Sequence, residues 1–302
     1  MHLSNSGSVL AFFLATSLSS AIAQTPDLRG TAMLNCSGLP CVDVTLGSGK
    51  HLRMLIDTGN VNSLLDTAVA NEAGLAISPA HGADGKPLPG YGFTVLAGVK
   101  LGDASLGDLR VLVLDMASHI KRDRMPAADG ALAYTAFKDR LLELDYTRRT
   151  VHVTERLETE LPCPGFCGKL TTPTFGKNGP PIVVTTGFLV NAKPVTAQVD
   201  TLFTGTMLIY PGSVQKLGLD EEAKTTKKRF FNYTDDGVDM LEAQSKQEAF
   251  GELVLARSAP LYFTTPSVHL PDDMFDATVG HELFQHSVLS LDFHGMKLWI
   301  KG

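Results

Sequence analysis

Positive charge is scarce in this chain and never builds a long run. Lysine and arginine number 26 against 32 acidic residues, for a formal net charge of −6. Without a basic tract, nucleic acid is excluded as a partner, and the acidity is too mild to name another. Beyond the N-terminus no stretch is apolar enough to span a bilayer. No His-Glu zinc motif occurs, the nine histidines show no ligand spacing, and nothing calls for a metal or a cofactor. His281 and His286 read as residues on a helix surface. Ser63 and Ser213 lack the context of a nucleophile elbow and read as ordinary. What remains is 44% hydrophobic and 19% charged, an ordinary globular balance over 302 residues, enough for two domains or one large one.

Residues 1–23 read as a secretory signal. Val9 to Ala21 is an apolar run broken only by small hydroxyl residues, and Ala21-Ile22-Ala23 fits a small-x-small cleavage site. The mature chain would start near Gln24, in the periplasm or outside the cell, with no membrane span left. Four cysteines fall in two local pairs, Cys36/Cys41 and Cys163/Cys167. In an exported chain they read as disulfides. Three connectivities exist, of which the two local pairs are expected; a four-thiolate zinc site is the rival, with poor spacing.

One stretch organises the rest. Met54-Leu55-Ile56 runs straight into Asp57-Thr58-Gly59, the pattern of a buried strand delivering a carboxylate to a tight turn. The chain repeats it as Ala197-Gln198-Val199-Asp200-Thr201-Leu202, 143 residues later. Further echoes keep their order. Gly74-Leu75 matches Gly218-Leu219, Leu132-Ala133 matches Val279-Gly280, and Leu144-Asp145-Tyr146 matches Leu291-Asp292-Phe293. Between these landmarks the pattern is short strands with Gly and Asp turns. A helix follows Asp66 as N-cap up to Gly74, and another short helix covers Tyr134 to Phe137. His81 to Gly92 is rich in Gly and Pro and suits a mobile hairpin with Tyr91 near one end. Thr154 to Pro181 reads as a linker. The chain is therefore two copies of one β-rich unit, residues 24–155 and 182–302, joined by residues 156–181. A pseudo-twofold axis between them would bring Asp57 and Asp200 face to face. Asp145 and Asp292 recur too, but each follows a strand and suits a turn contact. Lys227-Lys228-Arg229 reads as a solvated loop or part of a second hairpin.

In this combination the residues resemble the retropepsin-like and pepsin-like aspartic peptidases, in style the exported bacterial branch with both lobes in one chain. The resemblance covers roughly residues 31–302. It implies an all-β, bilobal fold with short helices, a pseudo-twofold pair of β-barrels with a cleft between them. Asp57 and Asp200 would be the paired catalytic carboxylates. Thr58 and Thr201 would cross-link the two turns, Gly59 would offer its N–H to a carboxylate, and the hairpin carrying Tyr91 would be a flap. The substrate would be a peptide or protein, the enzyme a monomer.

Such a pair needs no metal. Two carboxylates about 3 Å apart cannot both ionise cheaply, so they share one proton. The sequence departs from the family pattern at Leu202 and Ala133, both glycine in the motif. If the turn at Leu202 demands a positive φ or a tight contact, strain of about 1–3 kcal/mol follows. That departure motivates an alternative, a peptidase-like protein that binds peptides without turning them over. A purely structural envelope domain is a third reading.

Overall fold

The computed structural model describes residues 30–82, 84–116, 128–174, 179–231, 238–264 and 274–302. The expected signal segment and cleavage site lie outside them. Among the described residues no helix is long and apolar enough to cross a membrane.

Among the described residues, eleven strands precede residue 155. They are β1 (Thr31–Ala32), β2 (Leu34–Cys36), β3 (Leu39–Thr45), β4 (His51–Asp57) and β5 (Leu64–Asp66). Then come β6 (Ser78–His81), β7 (Pro87–Leu101), β8 (Ala104–Leu114), β9 (Gly130–Ala133), β10 (Leu141–Asp145) and β11 (Thr150–Val153). After it follow β12 (Gly168–Thr171), β13 (Val184–Val190), β14 (Lys193–Asp200), β15 (Met207–Ile209), β16 (Lys227–Phe231) and β17 (Val238–Gln244). The chain ends with β18 (Gln247–Phe250), β19 (Leu253–Arg257), β20 (Pro260–Thr264), β21 (Ala277–Gly280), β22 (Val288–Asp292) and β23 (Lys297–Lys301).

Strand order corresponds between the two halves. The first half runs β2-β3-β4-β9-β5-β8-β7-β6, and the second runs β12-β13-β14-β21-β15-β20-β17-β16. Each position holds the counterpart of the other, down to the parallel pairs β4–β9 and β5–β8 against β14–β21 and β15–β20. The fold is thus mostly β and bilobal. Between the lobes, β10 pairs antiparallel with β22, with β11 and β1 on one side and β23 and β12 on the other. One apolar core runs through both lobes and includes Ile56, Leu132, Leu142, Val199, Val279 and Leu291. Burying each such side chain contributes about 1.5–3 kcal/mol.

Local rules hold at the expected places. Asp66 caps helix α1 (Thr67–Glu72) by accepting from Ala68 N at 2.8 Å. Tyr134–Phe137 is a single 3₁₀ turn. The expected linker contains strand β12, which pairs with the nearby β13 and with the distant β23. The expected hairpin is formed by β6 and β7, with a tight turn after His81 in which Gly82 N donates to Lys86 O.

Candidate active site

Strand β4 begins with alternating burial and ends with four buried residues, Met54 to Asp57. The change marks where it passes between β3 and β9. β14 lies likewise between β13 and β21. Each strand therefore delivers its last residue, Asp57 or Asp200, beside the final residue of a parallel neighbour, Ala133 or Gly280.

The two turns are tied to each other rather than to their own lobes. Thr58 N donates to Thr201 Oγ1 at 3.1 Å, and Thr201 N donates to Thr58 Oγ1 at 3.2 Å. Each hydroxyl then donates to the opposite strand: Thr58 Oγ1 to Val199 O at 2.8 Å, Thr201 Oγ1 to Ile56 O at 2.5 Å. Both threonines are buried, at 1% and 0% exposure. A network in which every member is satisfied holds its geometry firmly in a low-dielectric interior.

Above it sit the carboxylates. Asp57 is 6% exposed, while Asp200 keeps part of its surface open. Asp200 Oδ1 accepts from Leu202 N at 2.9 Å and from Phe203 N at 3.2 Å. Gly59 stands directly against the Asp200 carboxylate: a Cβ on it would lie 2.7 and 2.8 Å from the two oxygens. Only glycine fits there. Loss of hydration, and then the charge of Asp200, push the Asp57 carboxyl up to about 8; the Asn60 side chain and the N–H groups of Gly59 and Asn60 act the other way. Desolvation also raises Asp200, against its bonds from Leu202 and Phe203. The charge of each bears on the other, and both carboxyls are raised above the ordinary carboxylate range.

Strain at Leu202 does not materialise. Leu202 does not have positive φ, its N–H is used by Asp200, and its side chain packs on the cluster of Cys36, Leu39, Cys41, Leu55 and Ala131. Ala133 is absorbed as well: it is fully buried, and its N–H donates to Ser63 Oγ at 3.0 Å. At the counterpart, Gly280 N donates to Thr206 O, and a Cβ would run into the carbonyls of Gly205 and Phe203. The second copy needs its glycine and the first does not.

Other expected residues fall out as follows. Both local disulfides are present, Cys36–Cys41 in the β2–β3 hairpin and Cys163–Cys167. Asp145 and Asp292 accept turn N–H groups, of Arg148 and of His294 and Gly295 respectively. Tyr91 is 37% exposed on β7, opposite Leu114 of β8. Lys227 and Lys228 lie on β16, the counterpart of the β6 hairpin strand. Among the described residues no group of His, Cys, Asp and Glu could hold a metal ion.

Three residues carry more than their sequence context suggested. His281 is not on a helix surface but 6% exposed, its Nδ1 at 3.0 Å from Phe203 O, where desolvation lowers its pKa. Ser63 supports Ala133 as described. Ser213 Oγ donates to Asp276, which also accepts from Thr196 N on β14. Asp129 does the same for Arg53 N on β4, so each strand that leads into an Asp-Thr turn is braced by an Asp 147 residues from its twin. The recurrence of an Asp immediately before β9 and β21, in Asp129-Gly130-Ala131-Leu132 and Asp276-Ala277-Thr278-Val279, was the signal that could have found these braces.

Residues 42–134 match a family model described as aspartyl protease. The matched segment holds Asp57-Thr58-Gly59, α1, the β6–β7 hairpin and Ala133. No curated protein matches the chain.

Proposed function

We propose that this chain is an exported aspartic endopeptidase that hydrolyses peptide bonds with a water activated between Asp57 and Asp200. The observation that carries the reading is the reciprocal pair of threonine bonds between the two Asp-Thr turns, because it ties the turn that carries Asp57 directly to the turn that carries Asp200.

The chemistry follows from one proton shared by the pair. The ionised carboxylate takes a proton from the water as its oxygen bonds to the scissile carbonyl carbon. The protonated carboxyl gives its proton to the carbonyl oxygen, leaving a neutral gem-diol. In the second step the peptide nitrogen gains a proton from the pair, one diol hydroxyl returns its proton to the pair, and the C–N bond breaks. A carboxylic acid and an amine leave, one water has been consumed, and the pair again holds one proton. Gly59 leaves open the space that the Asp200 carboxylate occupies. The β6–β7 hairpin with Tyr91 is the proposed flap that excludes bulk water. The two disulfides and the apolar N-terminal run support export, with the mature chain beginning near Gln24.

The alternative of peptide binding without turnover rested on Leu202, and an unstrained Leu202 leaves no observation in its favour. The test is cleavage of an unfolded protein substrate by the mature chain, by Asp57→Asn, and in the presence of a peptide mimic carrying a hydroxyl where the attacked carbonyl would be. Cleavage by the wild type, lost in the variant and blocked by the mimic, is expected. Equal cleavage by Asp57→Asn overturns the reading.

A further inference from the structure

Two of the differences between the Asp-Thr turns go together. Leu55 corresponds to Gln198, two residues before each Asp, and Gly59 corresponds to Leu202, two residues after. On one side of the pseudo-twofold axis, Gln198 reaches across the lobes and its Nε2 donates to Gly59 O at 2.8 Å. On the other side, the same relation sets position 55 against position 202. There Leu202 packs on the cluster that contains Leu55, together with Cys36, Leu39, Cys41 and Ala131. An amide-to-carbonyl bond braces one turn; apolar packing on the disulfide hairpin braces the other.

Neither half of either arrangement works alone. A glutamine at 55 beside Leu202 buries an amide in an apolar cluster with no partner in view. A glycine at 202 beside Leu55 restores the motif letter but removes the side chain that ties the turn to the opposite lobe and leaves a void. The N–H of residue 202 holds Asp200 Oδ1, so loosening this turn moves a carboxylate of the pair.

We propose that Leu55 and Leu202 are a matched pair of positioning residues, which hold the Asp200 turn by packing on the Cys36–Cys41 hairpin in place of the bond that Gln198 and Gly59 make for the Asp57 turn. The proposal rests on the peptidase reading for its activity readout, though not for its structural one. Its corollary is that Leu202→Gly, the substitution that completes a second Asp-Thr-Gly, damages the enzyme instead of improving it.

The experiment is a double-mutant cycle of Leu202→Gly, Leu55→Gln and the two combined, read by kcat, by the pH profile of kcat/KM and by Tm. Each single change is expected to lower kcat by about 10- to 100-fold and to shift the limbs of the pH profile, as the spacing of the carboxylates loosens. The double variant is expected to recover most of kcat and of the profile, and to show a Tm above the sum of the two single effects. Leu202→Met, which keeps an apolar side chain of similar volume, is expected to stay near wild type and stands in should the glycine variant not fold. Additive losses in the double variant, a Leu202→Gly enzyme as active as wild type, or a Leu202→Met enzyme as impaired as the glycine variant overturns the pairing. If the wild type cleaves nothing, the peptidase reading fails by itself, and coupling in Tm between positions 55 and 202 still decides for or against the pair.

Discussion

Glu143 and Ser290 face each other across strands β10 and β22, and Ser290 Oγ donates to Glu143 Oε2 at 3.0 Å. They are also counterparts in the two copies, 147 residues apart. A residue paired with its own counterpart lies on the axis that relates the halves. The sheet that joins the lobes is therefore centred where the duplication requires, and the two Asp-Thr turns meet on the same axis. Ser290 is fully buried. Ser290→Ala leaves a carboxylate oxygen of Glu143 without its donor and is expected to cost about 1–3 kcal/mol, or roughly 2–6 °C in Tm for a chain of this size. Thermal unfolding checks it, with kcat expected within a few-fold of wild type because no carboxylate of the pair moves.

The threonine lattice predicts a sharper contrast. Thr201 Oγ1 both accepts from Thr58 N and donates to Ile56 O. Thr201→Val keeps the shape but removes both bonds and leaves a buried N–H and a buried carbonyl unpaired, at about 1–3 kcal/mol each. Thr201→Ser keeps the hydroxyl. Stability and kcat are both expected to fall in the valine variant and to be largely retained in the serine variant, as measured by denaturant unfolding and steady-state cleavage.

Proton sharing sets the pH dependence. The raised Asp57 carboxyl means that the folded pair keeps a proton which the unfolded chain releases in the ordinary carboxylate range. Activity that needs one shared proton is accordingly expected to persist through neutrality and to fall as the pH rises through about 8. The profile of kcat/KM checks this, and a falling limb near the ordinary aspartate value would contradict it.

Glu248 adds a second alkaline liability, in the second lobe. It is fully buried, neither carboxylate oxygen has a hydrogen-bond partner, and burial pushes it up from 4.5 to about 8. The hydroxyls of Ser245 and Thr206 donate to the carbonyls of Ala259 and Pro260 and not to Glu248. For a carboxyl raised in the folded state, the sign runs against alkali. Below about 4.5 both states are protonated and nothing is lost. Stability then declines with pH, and the loss is complete above about 8. Glu248→Gln is expected to be more stable than wild type at pH 9 by several kcal/mol and to gain little at pH 4. Urea unfolding at the two pH values checks it.

Much of this was legible in the residues because a duplication writes its own check. A lone Asp-Thr-Gly is weak, but Asp200-Thr201 at the right offset, with Leu144-Asp145 and Leu291-Asp292 trailing at a matching distance, pointed to the fold class and to the two acids proposed as a pair. What escaped depended on partners far away in the chain. Strand β12 lies between β13 and β23, its pairing with β23 lies some 130 residues on, and its Pro- and Gly-rich surroundings gave it no local pattern. His281 was misplaced because its partner is a carbonyl in the Asp200 turn, 78 residues earlier. Leu202 was suspected of strain because a motif letter states which residue is usual, not which φ the turn takes.

The proposed catalysis needs Asp200 acting together with Asp57, and Asp200→Asn measures that most directly, since amide for carboxylate changes charge with little change of shape. Assayed beside the wild type on one unfolded substrate at mildly acidic pH, the variant is expected to lose cleavage by about 10²- to 10⁴-fold while keeping its fold by circular dichroism. A folded Asp200→Asn protein that cleaves at the wild-type rate would contradict the shared-proton pair.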